Sequence, residues 1–247
     1  MNKLKEKLSI GKNVLGTWCE IPSPEFINVL AKAGLDFVII DMEHGTMDFT
    51  TASRMVMAAQ AEGCSAIIRV SRNGESEILR ALEIAPQGII VPHIESPADT
   101  TKALSYTKFP PVGTRSYNPF TRAGGYHTSA ENPKEQNTDV LLSLIVEGKK
   151  GIHNLEKIVD ENVDSIYIGT YDISMALGIP GDVKNKKVTK TLEKMVKTIT
   201  RKGKVAGCMF HDENELTYFK SIGIQFLCYK ADTSVIFDEF QKIRSLL

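Results

Sequence analysis

The chain has 247 residues, 42% of them hydrophobic and 24% charged, with 30 Lys and Arg residues against 30 Asp and Glu residues. This composition is typical of a globular protein and argues against a disordered chain. A formal net charge of zero supplies no overall field for nucleic acid or a membrane, so we expect neither as a partner. No linker or composition shift divides the chain, and we predict a single domain over residues 1–247.

Two further features argue against export and membrane insertion. No apolar stretch follows the basic amino-terminal segment, and the longest apolar runs fall far short of the ~20 residues that cross a bilayer. The four cysteines are scattered, without a C-x-x-C pair or a Cys/His cluster, which argues against a zinc knuckle or a disulfide framework. We expect buried, reduced thiols and a cytoplasmic protein.

Short apolar runs alternate with amphipathic stretches along the chain. Eight runs are predicted as strands: residues 14–19, 36–42, 66–70, 88–95, 141–147, 165–170, 204–210 and 224–230. The predicted helices cover residues 24–32, 49–62, 75–84, from 97 onward, 149–160, 171–177, 191–202, 214–221 and 234–247. Continuous apolar strands joined by helices predict a parallel sheet that is covered on both faces. Eight repeats in this length favour a (β/α)₈ barrel, and the absence of G-x-G-x-x-G after the first strand weakens a dinucleotide-binding fold.

Two segments interrupt this alternation. Residues 107–138 are rich in Pro, Gly, Asn, Ser and Thr, and a structureless segment of this length inside a compact domain is usually functional. We interpret it as a long active-site loop. The charged residues 182–190 are interpreted as a solvated loop before the next helix.

In a (β/α)₈ barrel the active site lies at the carboxyl ends of the strands. The apolar runs end in polar residues there, among them His44, Arg69, Glu147 and Asp172. Two carboxylates at neighbouring strand ends can hold Mg²⁺ or Mn²⁺ together with water and substrate oxygens. His44 can act as an acid or base near neutral pH, and Arg69 can bind a substrate carboxylate or a developing enolate.

Each of these assignments has a structural alternative. Either carboxylate could cap the following helix. His44 could belong to a hydrogen-bonded turn, and Arg69 could form a structural ion pair with Asp41 or Glu43. We interpret the remaining polar residues at the strand ends, His93, Glu95, His211 and Asp232, as structural. The joint arrangement favours a site because four independent residues fall on the same rim.

Seven segments then carry a family resemblance: GTW (16–18), AGLDFVIIDMEHG (33–45), IIRV (67–70), GIIVPHIESPAD (88–99), FPPVGTRSYNPFTRAGGY (109–126), VEGKKGIHNLEKI (146–158) and IGTYDISMALGIPG (168–181). On these segments the sequence resembles the HpcH/HpaI aldolase family, the metal-dependent class II pyruvate aldolases. The resemblance covers about residues 14–180. It implies a barrel that makes or breaks a carbon–carbon bond between pyruvate, as its enolate, and an aldehyde, so that the protein is a 2-oxo-4-hydroxy acid lyase.

The resemblance also implies roles for individual residues. Glu147 and Asp172 would bind a divalent cation, Mg²⁺, Mn²⁺ or Co²⁺. The catalytic set would be His44, Arg69, Asp41 and Glu83, with Glu83 steering His44. The substrate-binding set would be Arg69, Gly169, Thr170, Tyr171, Arg115 and Arg122, with the loop arginines on the aldehyde side. Family members usually assemble as trimers of dimers, so a homo-hexamer is expected.

The sequence departs from the family pattern at three positions. Ile145 replaces a glutamine two residues before the metal glutamate, Glu83 replaces an aspartate that pairs with the catalytic histidine, and Thr170 replaces a proline. Loss of an outer polar partner can reduce metal affinity or activity 10- to 100-fold. A related branch contains a citrate-forming synthase of siderophore pathways, and a synthase joining a 2-oxo diacid to an acetyl donor is the alternative function. The sequence leaves the acceptor aldehyde, the preferred metal and the physiological direction open.

Overall fold

A computed structural model describes residues 2–247. Eight parallel strands follow one another in chain order and close into a barrel, with the last strand paired to the first. The strands are β1 Val14–Cys19, β2 Phe37–Asp41, β3 Ser65–Arg69, β4 Gly88–Val91, β5 Leu141–Val146, β6 Ser165–Ile168, β7 Val205–Phe210 and β8 Phe226–Ala231. The predicted (β/α)₈ barrel is confirmed, with all eight strands in the predicted places.

Helices connect the strands, and most of them cover the outside of the barrel. They are α1 Lys3–Ser9, α2 Pro24–Lys32, α3 Phe49–Ala61, α4 Glu75–Glu83, α5 Pro97–Thr107, α6 Asn132–Asp139, α7 Lys149–Ile158, α8 Thr170–Ala176, α9 Lys186–Arg201, α10 Glu213–Ile222 and α11 Asp232–Arg244. Among residues 2–247, no helix combines the length and the apolar character needed to cross a membrane. All four cysteines are free and buried, as the sequence predicted.

The apolar side chains form two layers. The larger layer fills the space between the strands and the surrounding helices. The smaller layer fills the barrel itself, where Phe37, Tyr167 and Phe226 stack beneath Trp18. Because the interior is packed with side chains, the barrel has no pore, and a ligand site can form only at its ends.

The amino-terminal helix α1 is not predicted from the sequence, in which this segment is interpreted only as basic. It closes the amino-terminal end of the barrel, where Leu4 and Leu8 join the interior layer. The Asn2 side chain anchors it. Its Oδ1 accepts hydrogen bonds from the backbone N–H groups of Leu4 and Lys5, and its Nδ2 donates to the carbonyl oxygens of Gln87 and Asp139.

Replacing Asn2 by alanine is therefore expected to destabilise the fold. The change removes a helix cap and leaves two carbonyl groups without their donor, for a cost of about 2 kcal/mol. For a chain of this size that corresponds to a fall in Tm of about 4–8 °C. Calorimetry of the variant measures it. Ser9→Ala, which removes an exposed hydroxyl bonded within the same helix, should change Tm much less, and equal effects of the two variants would contradict the anchoring role.

Helix α9 begins earlier than predicted. The segment 182–190 was interpreted as a loop because it is highly charged, but the helix starts at Lys186. The Asn185 side chain accepts a hydrogen bond from the backbone N–H of Lys187, and Val188 is fully buried one turn before Leu192. The lysines project to solvent, so one buried side chain per turn is sufficient to dock the helix.

The segment 107–138, whose interpretation as an active-site loop stays a prediction, lies away from the carboxyl ends of the strands of its own chain. It follows α5 and precedes β5, so it runs across the amino-terminal end of the barrel. It also contains most of helix α6, a polar helix with no buried residue, which apolar periodicity could not reveal. Asn132 and Gln136 hold this helix through hydrogen bonds to the carbonyl oxygen of Ala123.

Candidate active site

The carboxyl ends of the strands surround a cavity of about 660 Å³. Seven of the residues predicted for the site line it: His44, Arg69, Glu147, Gly169, Thr170, Tyr171 and Asp172. They come from four different strand ends that are well separated in sequence. The parallel barrel brings them together because all its strands end on the same face.

Arg69 lines one side of this cavity, and the buried Asp41 holds it in place. The register pairs them directly, at the ends of β2 and β3. Asp41 is fully buried, and its Oδ1 accepts from the Nε of Arg69 at 2.8 Å while its Oδ2 pairs with Nη2. Asp41 Oδ1 also accepts from the backbone N–H groups of Glu43 and His44. A single carboxylate thus fixes both the arginine and the turn that carries His44.

Arg69 makes two further contacts. Its Nη1 lies 3.1 Å from Oε2 of Glu43, and its guanidinium lies 4.5 Å from the centre of the Trp18 ring. Both ion pairs considered from the sequence are therefore present. Three of the five N–H donors of the guanidinium are used by these carboxylates, which leaves two donors for a ligand.

His93 links this arrangement to Glu147, a role that the sequence analysis missed. Its Nε2 lies 2.7 Å from Oε1 of Glu43, and its Nδ1 lies 3.1 Å from Oε1 of Glu147. The residue has a positive φ of 57°, a conformation that costs energy for any residue except glycine. This backbone turn aims the imidazole between the two carboxylates. The only sequence signal was its position at the end of a strand.

Glu147 and Asp172 both line the cavity, just beyond the ends of the paired strands β5 and β6. Burial, together with the negative charge of Asp172, raises the pKa of Glu147 to about 7. Gly169 is necessary for this placement, because a Cβ at that position would lie 2.5 Å from Oε2 of Glu147. Within residues 2–247, neither carboxylate forms an ion pair with a lysine or an arginine.

This donor set fits a hard divalent cation. These two carboxylates, which no lysine or arginine among residues 2–247 pairs directly, line a cavity of about 660 Å³ that has room for water and substrate. In the described part of the chain, no group of three or more His, Cys, Asp or Glu side chains could enclose a metal ion. An ion here would complete its shell with water and substrate oxygens, as Mg²⁺ usually does.

His44 lies at the rim of the same cavity. Its side chain is exposed, and within residues 2–247 its imidazole makes no hydrogen bond, while its backbone N–H donates to Asp41. Both ring nitrogens are thus free to exchange a proton with a ligand. The turn considered from the sequence exists, but it holds the backbone and leaves the ring available.

Three predicted site residues lie elsewhere. Glu83 ends α4, and Arg115 and Arg122 belong to the segment at the amino-terminal end of the barrel. Arg115 Nη2 lies 3.6 Å from Oε1 of Glu83, and burial lowers the pKa of Arg115 to about 10. Arg122 donates to the carbonyl oxygen of Ile84 and to Oε1 of Gln60. Within this chain, Glu83 therefore does not steer His44, and the two arginines do not face the cavity.

A closed parallel barrel with ionisable residues gathered at the carboxyl ends of its strands defines a (β/α)₈ enzyme. The sequence profile of the HpcH/HpaI aldolase/citrate lyase family matches residues 15–237. The chain belongs to this family and is a carbon–carbon lyase.

Individual relatives agree with this assignment. The chain is 28% identical to a pyruvate aldolase of Rhizobium etli, over 96% of this chain and 93% of the relative. It is 27% identical to a 5-keto-4-deoxy-D-glucarate aldolase of Klebsiella pneumoniae, over 98% of this chain and 95% of the relative. The crystal structure of the citrate synthase SbnG superposes with a TM-score of 0.90 at 25% identity, covering 98% of this chain and 96% of that chain.

Proposed function

We propose that this protein is a metal-dependent aldolase that cleaves or forms the carbon–carbon bond between pyruvate, as its enolate, and an aldehyde. The observation that carries the proposal is the carboxylate pair Glu147 and Asp172 beside Arg69 in a single cavity. The substrates would be a 2-oxo acid and an aldehyde, which join to a 2-oxo-4-hydroxy acid. The names of the aldolase relatives support this reaction class.

Glu147 and Asp172 would hold Mg²⁺, Mn²⁺ or Co²⁺. When bound, such a cation supplies a Lewis acid that stabilises negative charge on a carbonyl oxygen. Gly169 contributes by leaving space for the Glu147 carboxylate, and Thr170 and Tyr171 shape the adjoining wall. His93 would position Glu147 through its hydrogen bond. The Ile145 side chain has no polar group with which to do so.

Arg69 would bind the carboxylate of pyruvate through its two unused N–H donors. Asp41 and Glu43 hold the guanidinium in a fixed orientation, so little side-chain freedom is lost when a ligand binds. The same positive charge stabilises the negative charge that develops when the C3–C4 bond breaks.

His44 would transfer the proton of the acceptor oxygen. In the cleavage direction, the imidazole takes the proton of the C4 hydroxyl as the C3–C4 bond breaks, and the electron pair of that bond passes to the enolate. Return of this proton from the imidazolium to C3 of the enolate then gives pyruvate and restores neutral His44. In the synthetic direction His44 returns the proton to the aldehyde oxygen.

Deuterium exchange tests enolate formation without an acceptor. Pyruvate in D₂O with the protein and Mg²⁺, Mn²⁺ or Co²⁺ should lose its methyl signal in the proton NMR spectrum. Absence of exchange with folded protein and all three metals would contradict the proposal.

A synthase that joins a 2-oxo diacid to an acetyl donor is the second candidate. The likeness to the citrate synthase SbnG supports it. Release of free thiol from acetyl-coenzyme A in the presence of oxaloacetate would favour the synthase, whereas aldehyde-dependent consumption of pyruvate would favour the aldolase.

We also propose that the protein is a cytoplasmic homo-oligomer, a hexamer built as a trimer of dimers. Four free cysteines are consistent with a reducing compartment. Helix α11 and the residues that follow it expose six large apolar side chains: Ile236, Phe237, Phe240, Ile243, Leu246 and Leu247. Burial of such a surface against another copy would remove it from water.

Replacing Phe240, which is 74% exposed, by aspartate is expected to dissociate the oligomer. Size-exclusion chromatography with light scattering measures the mass, and circular dichroism checks the fold. Val29→Asp introduces the same charge at an exposed apolar residue of α2 and serves as the control. An unchanged mass in Phe240→Asp would contradict the role of α11.

A further inference from the structure

A chain of hydrogen bonds lies on the wall of the cavity opposite Arg69. The hydroxyl of Tyr171 lies 2.9 Å from Nε2 of His211, and Nδ1 of His211 lies 2.9 Å from Oε2 of Glu215. The rings of Tyr171 and His211 meet edge to face. Tyr171 and His211 both line the cavity, while the Glu215 carboxylate lies behind them and is only 14% exposed.

Glu215 is itself held in place. Its Oε2 accepts from the backbone N–H of His211, its own N–H donates to Oδ1 of Asp212, and Lys184 lies 3.7 Å from its Oε1. The carboxylate has only acceptors, so the Nδ1 of His211 must carry the proton. In neutral imidazole, Nε2 then carries a lone pair and accepts a hydrogen bond from the hydroxyl of Tyr171.

The consequence is a directed hydrogen bond at the cavity wall. When His211 is neutral, the O–H of Tyr171 points toward His211, and the phenol oxygen presents its lone pairs to the cavity. A ligand hydroxyl can donate to this oxygen, whereas a methyl or methylene group in the same place leaves it without a partner.

We propose that Tyr171 determines acceptor specificity by accepting a hydrogen bond from a hydroxyl group of the aldehyde, and that His211 and Glu215 are its positioning residues. The inference rests on the proposed aldolase function. From the sequence alone, His211 is interpreted as structural and Glu215 has no predicted role. Glu215 lies in the first turn of α10, whose N-cap is Asp212, and its side chain reaches back to His211 just before the helix.

Two aldehydes that differ by one hydroxyl test the proposal. We compare kcat/KM for the condensation of pyruvate with glycolaldehyde and with acetaldehyde. A variant that is damaged in a general way loses activity with both aldehydes, so the ratio of the two values stays the same. Tyr171→Phe should lower the glycolaldehyde-to-acetaldehyde ratio about 3- to 10-fold, the usual worth of one hydrogen bond. Tyr218→Phe, which removes a hydroxyl bonded to Glu193 outside this cavity, should leave the ratio and the activity unchanged.

The positioning residues are tested separately. Glu215→Leu should lower the ratio, whereas Glu215→Gln should retain it, because the amide oxygen still accepts from Nδ1. Side-chain ¹⁵N shifts of His211 in the unmodified protein should report a protonated Nδ1 and a free Nε2. An unchanged ratio in Tyr171→Phe, or a protonated Nε2 in neutral His211, would overturn the inference. Absence of deuterium exchange into pyruvate with the unmodified protein would instead overturn the aldolase function itself.

Discussion

Replacing Glu147 by glutamine is expected to abolish catalysis and, in the metal-free protein at pH 8, to stabilise the fold. The variant retains the size of the side chain but loses one of the two anionic oxygen donors of the proposed cation site. Because the Lewis acid and the placement of pyruvate both depend on that site, we expect kcat/KM to fall at least about a thousandfold. Deuterium exchange into pyruvate should fall with it.

The gain in stability follows from the raised pKa of Glu147. The group titrates near 7 in the folded protein against an ordinary value of 4.5. Between these pH values the folded state binds more protons than the unfolded state, so stability falls as the pH rises from about 4.5 through 7. Above pH 7 the cost is fully present, at about 1–3 kcal/mol. Glutamine carries no charge and therefore avoids this cost. The free energy of unfolding of the variant should exceed that of the unmodified protein at pH 8 and match it near pH 5.

Divalent cation should reverse this order. A cation at a hundred times its Kd stabilises the folded state by about 2.7 kcal/mol, and the variant should gain little of this. Thermal unfolding at pH 5 and pH 8, with a chelator or with Mn²⁺, measures all four conditions. Glu95→Gln makes the same chemical change at a half-exposed carboxylate that does not line the cavity. If that control showed the same dependence on pH and metal, the effect would not belong to the carboxylate pair.

The sequence located four of the proposed site residues because a parallel barrel places every strand end on one face. His44, Arg69, Glu147 and Asp172 each follow an apolar run, and the structure brings all four to one cavity. Their mutual contacts could not be derived in the same way. The contact between His93 and Glu147 joins residues that follow different strands. It depends on the positive φ of His93, and no residue pattern predicts that φ.

The segment 107–138 shows a different limit. Its composition indicated an irregular segment, and its likeness to the family loop suggested the active site. Chain alternation in a barrel determines its location, because a segment that follows a helix returns to the amino-terminal end of the strands. The predicted helix that begins at Pro97 was correct. Its direction was therefore sufficient to place Arg115 and Arg122 away from the cavity of their own chain.

Replacing Arg69 separates its two roles in stability and in catalysis. Arg69→Met leaves the fully buried carboxylate of Asp41 with only backbone donors. Removing one partner of a buried ion pair typically costs about 3–5 kcal/mol, and we expect a loss of that size. Arg69→Lys retains a positive charge but cannot form the two parallel bonds to Asp41, so its loss should be smaller. In both variants, kcat/KM should fall about a hundredfold or more, because neither supplies the two free N–H donors.

The double variant Asp41→Asn/Arg69→Met distinguishes these roles. Asparagine removes the unpaired buried charge, and urea unfolding should show that the double variant recovers much of the stability lost in Arg69→Met. The two changes should therefore be strongly non-additive, as expected for residues in direct contact. Catalysis should not recover, because the donors for the pyruvate carboxylate remain absent. If pyruvate exchange returned together with stability, Arg69 would serve only to neutralise Asp41, and its assignment as the pyruvate-binding group would be wrong.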